Sequence, residues 1–223
     1  MRILVLHKET INIWTHMLAC LYYIIVNNKL NIFSIYIYAS ILTFGTSTLY
    51  HIALSLNKNT NKILKLDLLM IENLTFVSNN LIVYHYYWCY RYLYINYLYM
   101  SLIYNIIGIL ILKNVNIIKY YNYYIGYIFI QNILLLYVYY DVYNREDKSI
   151  KKYKYGKAVI YYLLGFVIYV LKIPEIFKKD KFDVIGNSHQ LWHIFSFAGS
   201  YNLYWELVEY HKYRKLNNCE LVS

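Results

Sequence analysis

The chain has 223 residues, 60% of them hydrophobic, with one proline and a formal net charge of +10. This apolar content exceeds that of ordinary soluble domains, in which about half of the residues are apolar. The composition therefore argues against a soluble globular protein. Because the positive charge lies largely in the connections between apolar segments, we assign it to loops beside anionic lipid headgroups and not to nucleic-acid binding.

Seven apolar segments, mostly near the length of a membrane-spanning helix, follow one another along the chain. A helix of about 20 residues crosses a hydrocarbon core of roughly 30 Å. The strands of a barrel would alternate apolar and polar residues, and these segments do not. The sequence therefore predicts an all-α, multi-pass integral membrane protein, a seven-transmembrane helix bundle. The predicted crossings are 11–27, 32–56, 63–88, 92–112, 117–141, 157–173 and 185–209.

The two chain ends are predicted to lie outside this bundle. We divide the sequence into a short N-terminal segment at 1–10, a transmembrane domain at 11–209 and a C-terminal tail at 210–223. Lys and Arg number 11 on each predicted side of the membrane, so loop charge does not orient the chain. The cysteines are widely separated and are expected to be free thiols; they are Cys20, Cys89 and Cys219.

A histidine pair, His189 and His193, lies near the start of the last predicted crossing. Residues at this spacing share one helix face, and one helix can supply two metal ligands in this way. On this motif alone, a metal site and two histidines hydrogen-bonded inside a bundle are equally good interpretations. Two other histidines, His85 and His211, lie at the far ends of crossings, where we expect an interface or solvent.

Helix parity brings further polar residues to the membrane side of this pair. The end of an even crossing and the start of an odd crossing face the same leaflet. His51 lies near the end of crossing 2, Asp67 near the start of crossing 3, and Glu9, Asn12 and His16 around the start of crossing 1. Three imidazoles with one open position form the ligand set of a catalytic zinc site, and a nearby carboxylate suits its outer shell.

Two of these polar residues have plainer interpretations as well. Ser47 lies one turn before His51 on the same helix face, and it could either bond to its own helix carbonyl or lie near a metal-bound water. Asp67 could be a helix N-cap at the membrane boundary. Glu72 would point away from Asp67 on a helix, so we do not pair the two carboxylates and expect Glu72 to bond to a neighbouring helix.

Three motifs in this order resemble the progestin and adipoQ receptor family, which includes adiponectin receptors and bacterial hemolysin III proteins. They are "HKETINIWTH" at 7–16, "STLYH" at 47–51 followed by "KLD" at 65–67, and "KIPEIFKKDKFDVIGNSHQLWH" at 172–193. Ser188 and Gln190 belong to the third motif as part of its pattern and are not expected to be ligands.

The resemblance implies a zinc ion bound by His51, His189 and His193, with Asp67 holding a zinc-bound water and Ser47 close by. It also implies a cytosolic N-terminus. The stretch "LLMIEN" after the aspartate departs from the family pattern of an aromatic followed by small residues, so the cavity around the zinc is expected to differ.

Three functions are compatible with these residues. The first is a zinc-dependent hydrolase of a lipid amide such as ceramide, which the resemblance implies because adiponectin receptors are associated with ceramidase activity. In that mechanism Asp67 orients or deprotonates the water and Ser47 donates to the developing oxyanion. The alternatives are a hemolysin-like membrane-permeabilising or channel protein with a structural zinc, and a lipid or steroid receptor. Membrane lipids are the expected partners.

Overall fold

The computed structural model describes residues 7–27, 33–144, 156–178 and 181–216. The described residues form seven α-helices and no strand, which confirms the all-α prediction. The helices are α1 (Thr10–Val26), α2 (Ser34–Ser55), α3 (Asn61–Tyr86), α4 (Arg91–Asn114), α5 (Ile117–Asn144), α6 (Gly156–Leu171) and α7 (Ser188–Leu216).

Each helix coincides with one predicted crossing, and most helix ends lie within a few residues of the prediction. The exception is α7, which continues to Leu216 although its apolar pattern ends near 209. No proline or glycine follows Gly199 in this helix to stop it. Its last turn is also held in place, because the buried Arg214 donates hydrogen bonds to the backbone carbonyls of His85 and Tyr86.

Length and hydropathy alone identify two of the described helices, α3 and α4, as membrane spans. Helices α1 and α6 are apolar but shorter. The remaining three carry Ser, Thr, Tyr, Asn and His among their apolar residues. Because the histidines of the candidate site lie on α2 and α7, the polar groups that weaken the hydropathy signal are partly those that suggest a function.

The chain divides into two compact units. The first unit comprises 1–67 and 155–204, and the second comprises 68–154 and 205–223, so α3 and α7 each contribute to both. This division follows contacts and does not report which residues lie in lipid. The transmembrane domain at 11–209 therefore stays a prediction.

The core of the first unit packs aromatic rings around a buried serine. The hydroxyls of Tyr23 and Tyr36 lie 2.7 and 2.9 Å from Ser200 Oγ. Phe44 stacks on Tyr23 with ring centroids 5.9 Å apart. A buried tyrosine needs a partner for its hydroxyl, and here one serine serves both. These contacts join α1 to α2 and α7, the two helices that carry the histidines of the candidate site.

The second unit buries a carboxylate between helices. Glu72 on α3 accepts a hydrogen bond from the hydroxyl of Tyr124 on α5, which confirms the expected bond to a neighbouring helix. Gly108 on α4 faces the same carboxylate so closely that a β-carbon there would overlap it. A larger residue at this position would therefore require the Glu72 carboxylate to move.

The cysteines differ in their chemical state. Cys20 is a free thiol, as predicted. Cys89 is disulfide-bonded, so the prediction of a free thiol was wrong for this residue. It lies in the turn between α3 and α4, outside both helices, and not in the apolar segment itself. Cys219 lies outside the described residues.

Candidate metal centre

The imidazoles of His51, His189 and His193 converge in the first unit. One ring nitrogen from each histidine lies within 4.8 Å of the other two. The ring centroids are 5.3 Å apart for His51 and His189, 4.9 Å for His51 and His193, and 4.5 Å for His189 and His193. The structure thus brings together the three histidines that helix parity assigned to one leaflet.

The histidine pair owes its shared direction to the start of α7. Asn187 precedes this helix, and its side-chain oxygen accepts a hydrogen bond of 2.9 Å from the backbone N–H of Gln190. Such a bond satisfies one of the N–H groups that a helix start leaves without a partner. With the helix started at this point, His189 and His193 lie one turn apart on the same face.

The loop before α7 is anchored to the helix by two side chains of the third motif. Ser188 donates from its backbone N–H and from its hydroxyl to Glu175 Oε1, both at 2.8 Å. The amide of Gln190 accepts from the N–H of Gly186 at 2.6 Å and donates to the carbonyl of Val184 at 2.8 Å. Gly186 has a φ of +83°, which glycine adopts without strain. Ser188 and Gln190 thus support the loop, in keeping with the expectation that they are not ligands.

The start of α1 contacts His51 through Glu9. Glu9 Oε2 lies 2.7 Å from His51 Nδ1 and accepts a second hydrogen bond, at 3.0 Å, from the side-chain amide of Asn12. Burial raises the pKa of Glu9, but the hydrogen bonds from His51 and Asn12 lower it further, so the net pKa lies below the usual value. Glu9 is therefore an ionised carboxylate at neutral pH, held against a buried imidazole.

The same helix contacts His193. Its Nδ1 lies 3.5 Å from Thr15 Oγ1, and its ring hydrogen-bonds to the backbone of Asn12. The ring of His16 packs against His193 with centroids 3.7 Å apart. The converging set of three nitrogens does not include one from His16, so this histidine lies beside the cluster and is not a member of it.

Asp67 and Ser47 form a second polar pair in the first unit. Both side chains are buried, and Ser47 hydrogen-bonds to the Asp67 carboxylate. Asp67 Oδ1 has no hydrogen-bond partner among the described residues. The carboxylate also interacts electrostatically with Tyr50, whose ring lies 5.2 Å from that of His51. Asp67 therefore lies near the turn of α2 that precedes His51.

This geometry changes one interpretation made from the sequence. Helix α3 begins at Asn61, so Asp67 lies inside the helix and the N-cap interpretation was wrong. A serine hydroxyl has one proton to donate. Ser47 directs it to Asp67, and the donation by Ser47 to a developing oxyanion stays a prediction.

The donor set fits a metal ion. Neutral imidazole nitrogens are common zinc ligands, and catalytic sites combine three protein ligands with one open position. An unpartnered carboxylate oxygen in the same unit is what an outer-shell acceptor for a metal-bound water requires. The structure does not identify the metal, and the zinc assignment stays a prediction.

A sequence model of the family described as "Haemolysin-III related" matches residues 4–204. The chain belongs to this family. Haemolysin-III related proteins are multi-pass integral membrane proteins with a seven-transmembrane helix bundle, and the family is associated with metal. The predicted fold class and the predicted family are both confirmed.

Individual relatives match over shorter stretches. The chain is 37% identical over 60 residues to the heptahelical transmembrane protein ADIPOR3 of Oryza sativa subsp. japonica, covering 27% of this chain and 15% of the relative. It is 40% identical over 53 residues to the adiponectin receptor protein of Drosophila melanogaster, covering 24% and 12%. It is 41% identical over 49 residues to the ADIPOR-like receptor IZH1 of Eremothecium gossypii, covering 22% and 15%. The alignments thus span less than a fifth of each relative's length.

Sequence reasoning left Glu9 and Asn12 of this haemolysin-III related protein without a role. The signal was present in the E-x-x-N spacing, since residues three apart share a helix face. The pattern could not identify His51 as the partner of Glu9, because the two residues are 42 positions apart in the chain.

Proposed function

We propose that this protein is a zinc-dependent hydrolase of lipid amides within the membrane, with ceramide-like lipids as its substrate class. The observation that carries the proposal is the convergence of His51, His189 and His193, in the same unit as the buried Asp67 with its unpartnered oxygen. Three neutral imidazoles and a carboxylate acceptor are the parts that a zinc-assisted hydrolysis uses. A purely structural zinc site closes its coordination with a fourth protein ligand in most cases.

His51, His189 and His193 would hold the zinc. When bound, zinc supplies Lewis acidity that polarises a carbonyl and lowers the pKa of water to about 7. The remaining chemistry falls to the side chains around it. Because these residues lie on helices made mostly of apolar residues, a lipid dissolved in the bilayer could reach them laterally without crossing bulk water.

Asp67 would act as the general base and then as the general acid. Its carboxylate accepts the proton of the attacking water as the oxygen bonds to the amide carbon. It returns that proton to the amine as the carbon–nitrogen bond breaks, so a fatty acid and an amine are released. Ser47 orients the carboxylate through its hydrogen bond, which leaves the free Oδ1 to receive the proton.

The choice of a lipid amide rests on two supports. The first is the resemblance of the motifs to adiponectin receptors, and three of the matched relatives carry that name in full or in abbreviated form. The second is the apolar setting of the candidate site, which favours a substrate that partitions into the bilayer. Neither support distinguishes a ceramide from another N-acylated lipid, so the experiment compares several.

The test uses the purified full chain in lipid nanodiscs. We expect one zinc per chain by elemental analysis and release of fatty acid from at least one of a panel of ceramides and N-acyl amines. Asp67→Asn should retain zinc and lose hydrolysis. The hydrolase proposal is wrong if zinc-loaded wild-type protein turns over none of these lipids, or if Asp67→Asn turns them over at the wild-type rate.

The two alternative functions give distinct results in the same preparation. A channel with a structural zinc would release solute from liposomes, and the leak would persist in Asp67→Asn. A receptor would bind a lipid or steroid saturably and without turnover. Either result, obtained together with absence of hydrolysis, would replace the hydrolase.

We propose further that the N-terminus faces the cytosol. Disulfides persist in oxidising compartments and are rare in the cytosol, and Cys89 in the turn after α3 is disulfide-bonded. Three crossings separate the N-terminus from this turn, so the two lie on opposite sides of the membrane. The disulfide thus supports an orientation that the equal numbers of Lys and Arg on the two predicted sides of the membrane do not determine. A membrane-impermeant thiol reagent applied to intact cells should label a cysteine placed at Tyr90 and not one placed at Lys8; the reverse pattern would invert the topology.

A further inference from the structure

The start of α1 supplies partners to two of the three converging histidines. Glu9 Oε2 lies 2.7 Å from Nδ1 of His51. The hydroxyl of Thr15 lies 3.5 Å from Nδ1 of His193. Both histidines therefore use the same ring nitrogen toward α1, which leaves Nε2 of each ring as the nitrogen that can accept a metal.

The contact between Glu9 and His51 has a definite chemical consequence. A carboxylate can only accept a hydrogen bond, so His51 Nδ1 must carry the proton. In the neutral ring the lone pair then lies on Nε2. A carboxylate on the far nitrogen fixes the orientation and tautomer of a metal-binding histidine and increases the basicity of the ligating nitrogen.

Glu9 is itself held in place, although its side chain is 26% exposed and that of His51 only 3%. The amide of Asn12 donates to the same Oε2 that contacts His51. The backbone N–H of Glu9 donates to Nδ1 of His7 at 3.1 Å. A side chain with several rotatable bonds is thereby restrained against the ring before any metal binds.

We propose that Glu9 is a positioning residue for the metal centre: it holds His51 in the tautomer that presents Nε2 to the ion, and Asn12 holds Glu9. This assigns a function to the E-x-x-N pattern at the start of α1. The inference rests on the proposed metal site, and it concerns the affinity of that site and not the identity of its substrate.

The test measures the zinc dissociation constant of the full chain by competition with a chromophoric chelator. Glu9→Ala removes the partner of His51 and should weaken zinc binding by about 10- to 100-fold, the usual effect of losing an outer-shell partner. Glu9→Gln keeps an oxygen that accepts from Nδ1 but loses the charge, so its affinity should fall between those of wild type and Glu9→Ala. The visible absorption spectrum of the cobalt-substituted protein should change in Glu9→Ala and less in Glu9→Gln.

The matched control is Asp183→Asn. Asp183 is an exposed carboxylate of the same unit that pairs with Lys8, the residue next to Glu9, at 2.7 Å. Its replacement removes the same charge near the start of α1 without touching an imidazole. We expect an unchanged zinc affinity and an unchanged cobalt spectrum. An equal loss of affinity in this variant would show that only net charge matters and would overturn the inference.

Asn12→Ala tests the second half of the proposal. It should weaken zinc binding less than Glu9→Ala, because Glu9 can still reach His51 without its support. In the double variant the loss should not exceed that of Glu9→Ala alone, since Asn12 acts through Glu9. A fully additive double variant would assign Asn12 a separate role and contradict this chain of contacts.

A merely structural role for Glu9 gives a different pattern. The melting temperature of the metal-free protein would then fall in Glu9→Ala and Glu9→Gln while the zinc affinity stayed at the wild-type value. That result would overturn the inference. If wild-type protein bound no zinc above the level of His51→Ala, the metal-site proposal itself would fail, and the two failures are therefore distinguishable.

Discussion

Histidines are buried in both units, and the two groups are arranged in opposite ways. In the first unit, nitrogens of His51, His189 and His193 face one another across less than 5 Å. In the second unit, His85 donates from Nδ1 to the backbone carbonyl of Leu81 at 2.6 Å, and its Nε2 lies 3.1 Å from Nδ1 of His211. Both ring nitrogens of His85 have protein partners, and no metal-ligand cluster forms around this pair among the described residues.

The difference separates a buried histidine from a candidate ligand. His85 is fully buried, and both of its ring nitrogens have partners within the chain. His211 and Arg214 on the extended α7 cover this end of α3, and the expectation that His85 lies at the membrane interface stays a prediction. In the first unit, His51 and His193 contact α1 through Nδ1. One nitrogen from each of the three histidines lies within 4.8 Å of the other two, as a metal requires.

The largest expected effect tests this contrast directly. His51→Ala should remove stoichiometric zinc, because three ligands are the fewest that hold a catalytic zinc firmly. His85→Ala should leave the zinc content unchanged, because its nitrogens already have protein partners. Elemental analysis of the two purified variants provides the measurement. Loss of zinc from His85→Ala, with His51→Ala unaffected, would place the metal in the other unit.

The next largest effect concerns turnover. Asp67→Asn keeps the shape of the side chain but cannot accept a proton, so lipid amide hydrolysis should fall by about 10²- to 10⁴-fold, the usual contribution of a general base. Glu72→Gln is the matched control, because it neutralises another buried carboxylate on α3. We expect that control to retain turnover per folded, zinc-loaded protein. If Asp67→Asn and Glu72→Gln lost hydrolysis to the same extent, Asp67 would not be the general base.

A smaller effect should distinguish the second unit by its stability. His85→Ala removes a fully buried imidazole together with its hydrogen bonds to Leu81 and His211, and losing a buried hydrogen-bonding group costs about 1–3 kcal/mol. The free energy of unfolding in detergent should fall by that amount, with no dependence on added zinc. His51→Ala should instead lose the stabilisation that zinc confers on wild type. Added zinc should raise the melting temperature of His85→Ala by as much as it raises that of wild type, and this result would support the contrast between the two histidine groups. An unchanged free energy of unfolding in His85→Ala would contradict it.

The smallest effect concerns the loop before α7. Burial raises the pKa of Glu175, but hydrogen bonds from the backbone and hydroxyl of Ser188 lower it further, so the net pKa is below the usual value. A depressed pKa means stabilisation that is present above the unfolded pKa and is lost as pH falls through the folded pKa. Glu175→Ala should lower stability by about 1 kcal/mol at neutral pH, as for a lost helix cap.

The pH dependence of that loss provides its own check. At acidic pH, where the wild-type carboxylate is also protonated, the difference in melting temperature between wild type and Glu175→Ala should shrink. Lys178→Ala in the same loop serves as the control and should show no such convergence. A difference that stays constant from neutral to acidic pH would mean that the Glu175 charge does not stabilise the start of α7.

Much of the fold could be predicted from the sequence because it depends on local properties. The length of each apolar segment determines where a helix can cross lipid, and alternation of crossings then determines which helix ends share a side. His51, Asp67 and the histidine pair of α7 could be grouped in this way without any distance. The end of α7 was missed because apolar content marks the lipid-facing part of a helix and not its last hydrogen-bonded turn.

The sequence by itself determined the class of the protein and the family, since these depend on composition, order and spacing along the chain, and the resemblance to that family implied which histidines form the cluster. Only the tertiary structure decided how individual atoms are paired. It directed Glu9 to His51, Ser47 to Asp67, and His211 to His85. These partners lie tens of residues or more apart or on different helices, and hydrogen bonds act over about 3 Å. No pattern along the chain specifies which of several polar side chains will meet at that distance.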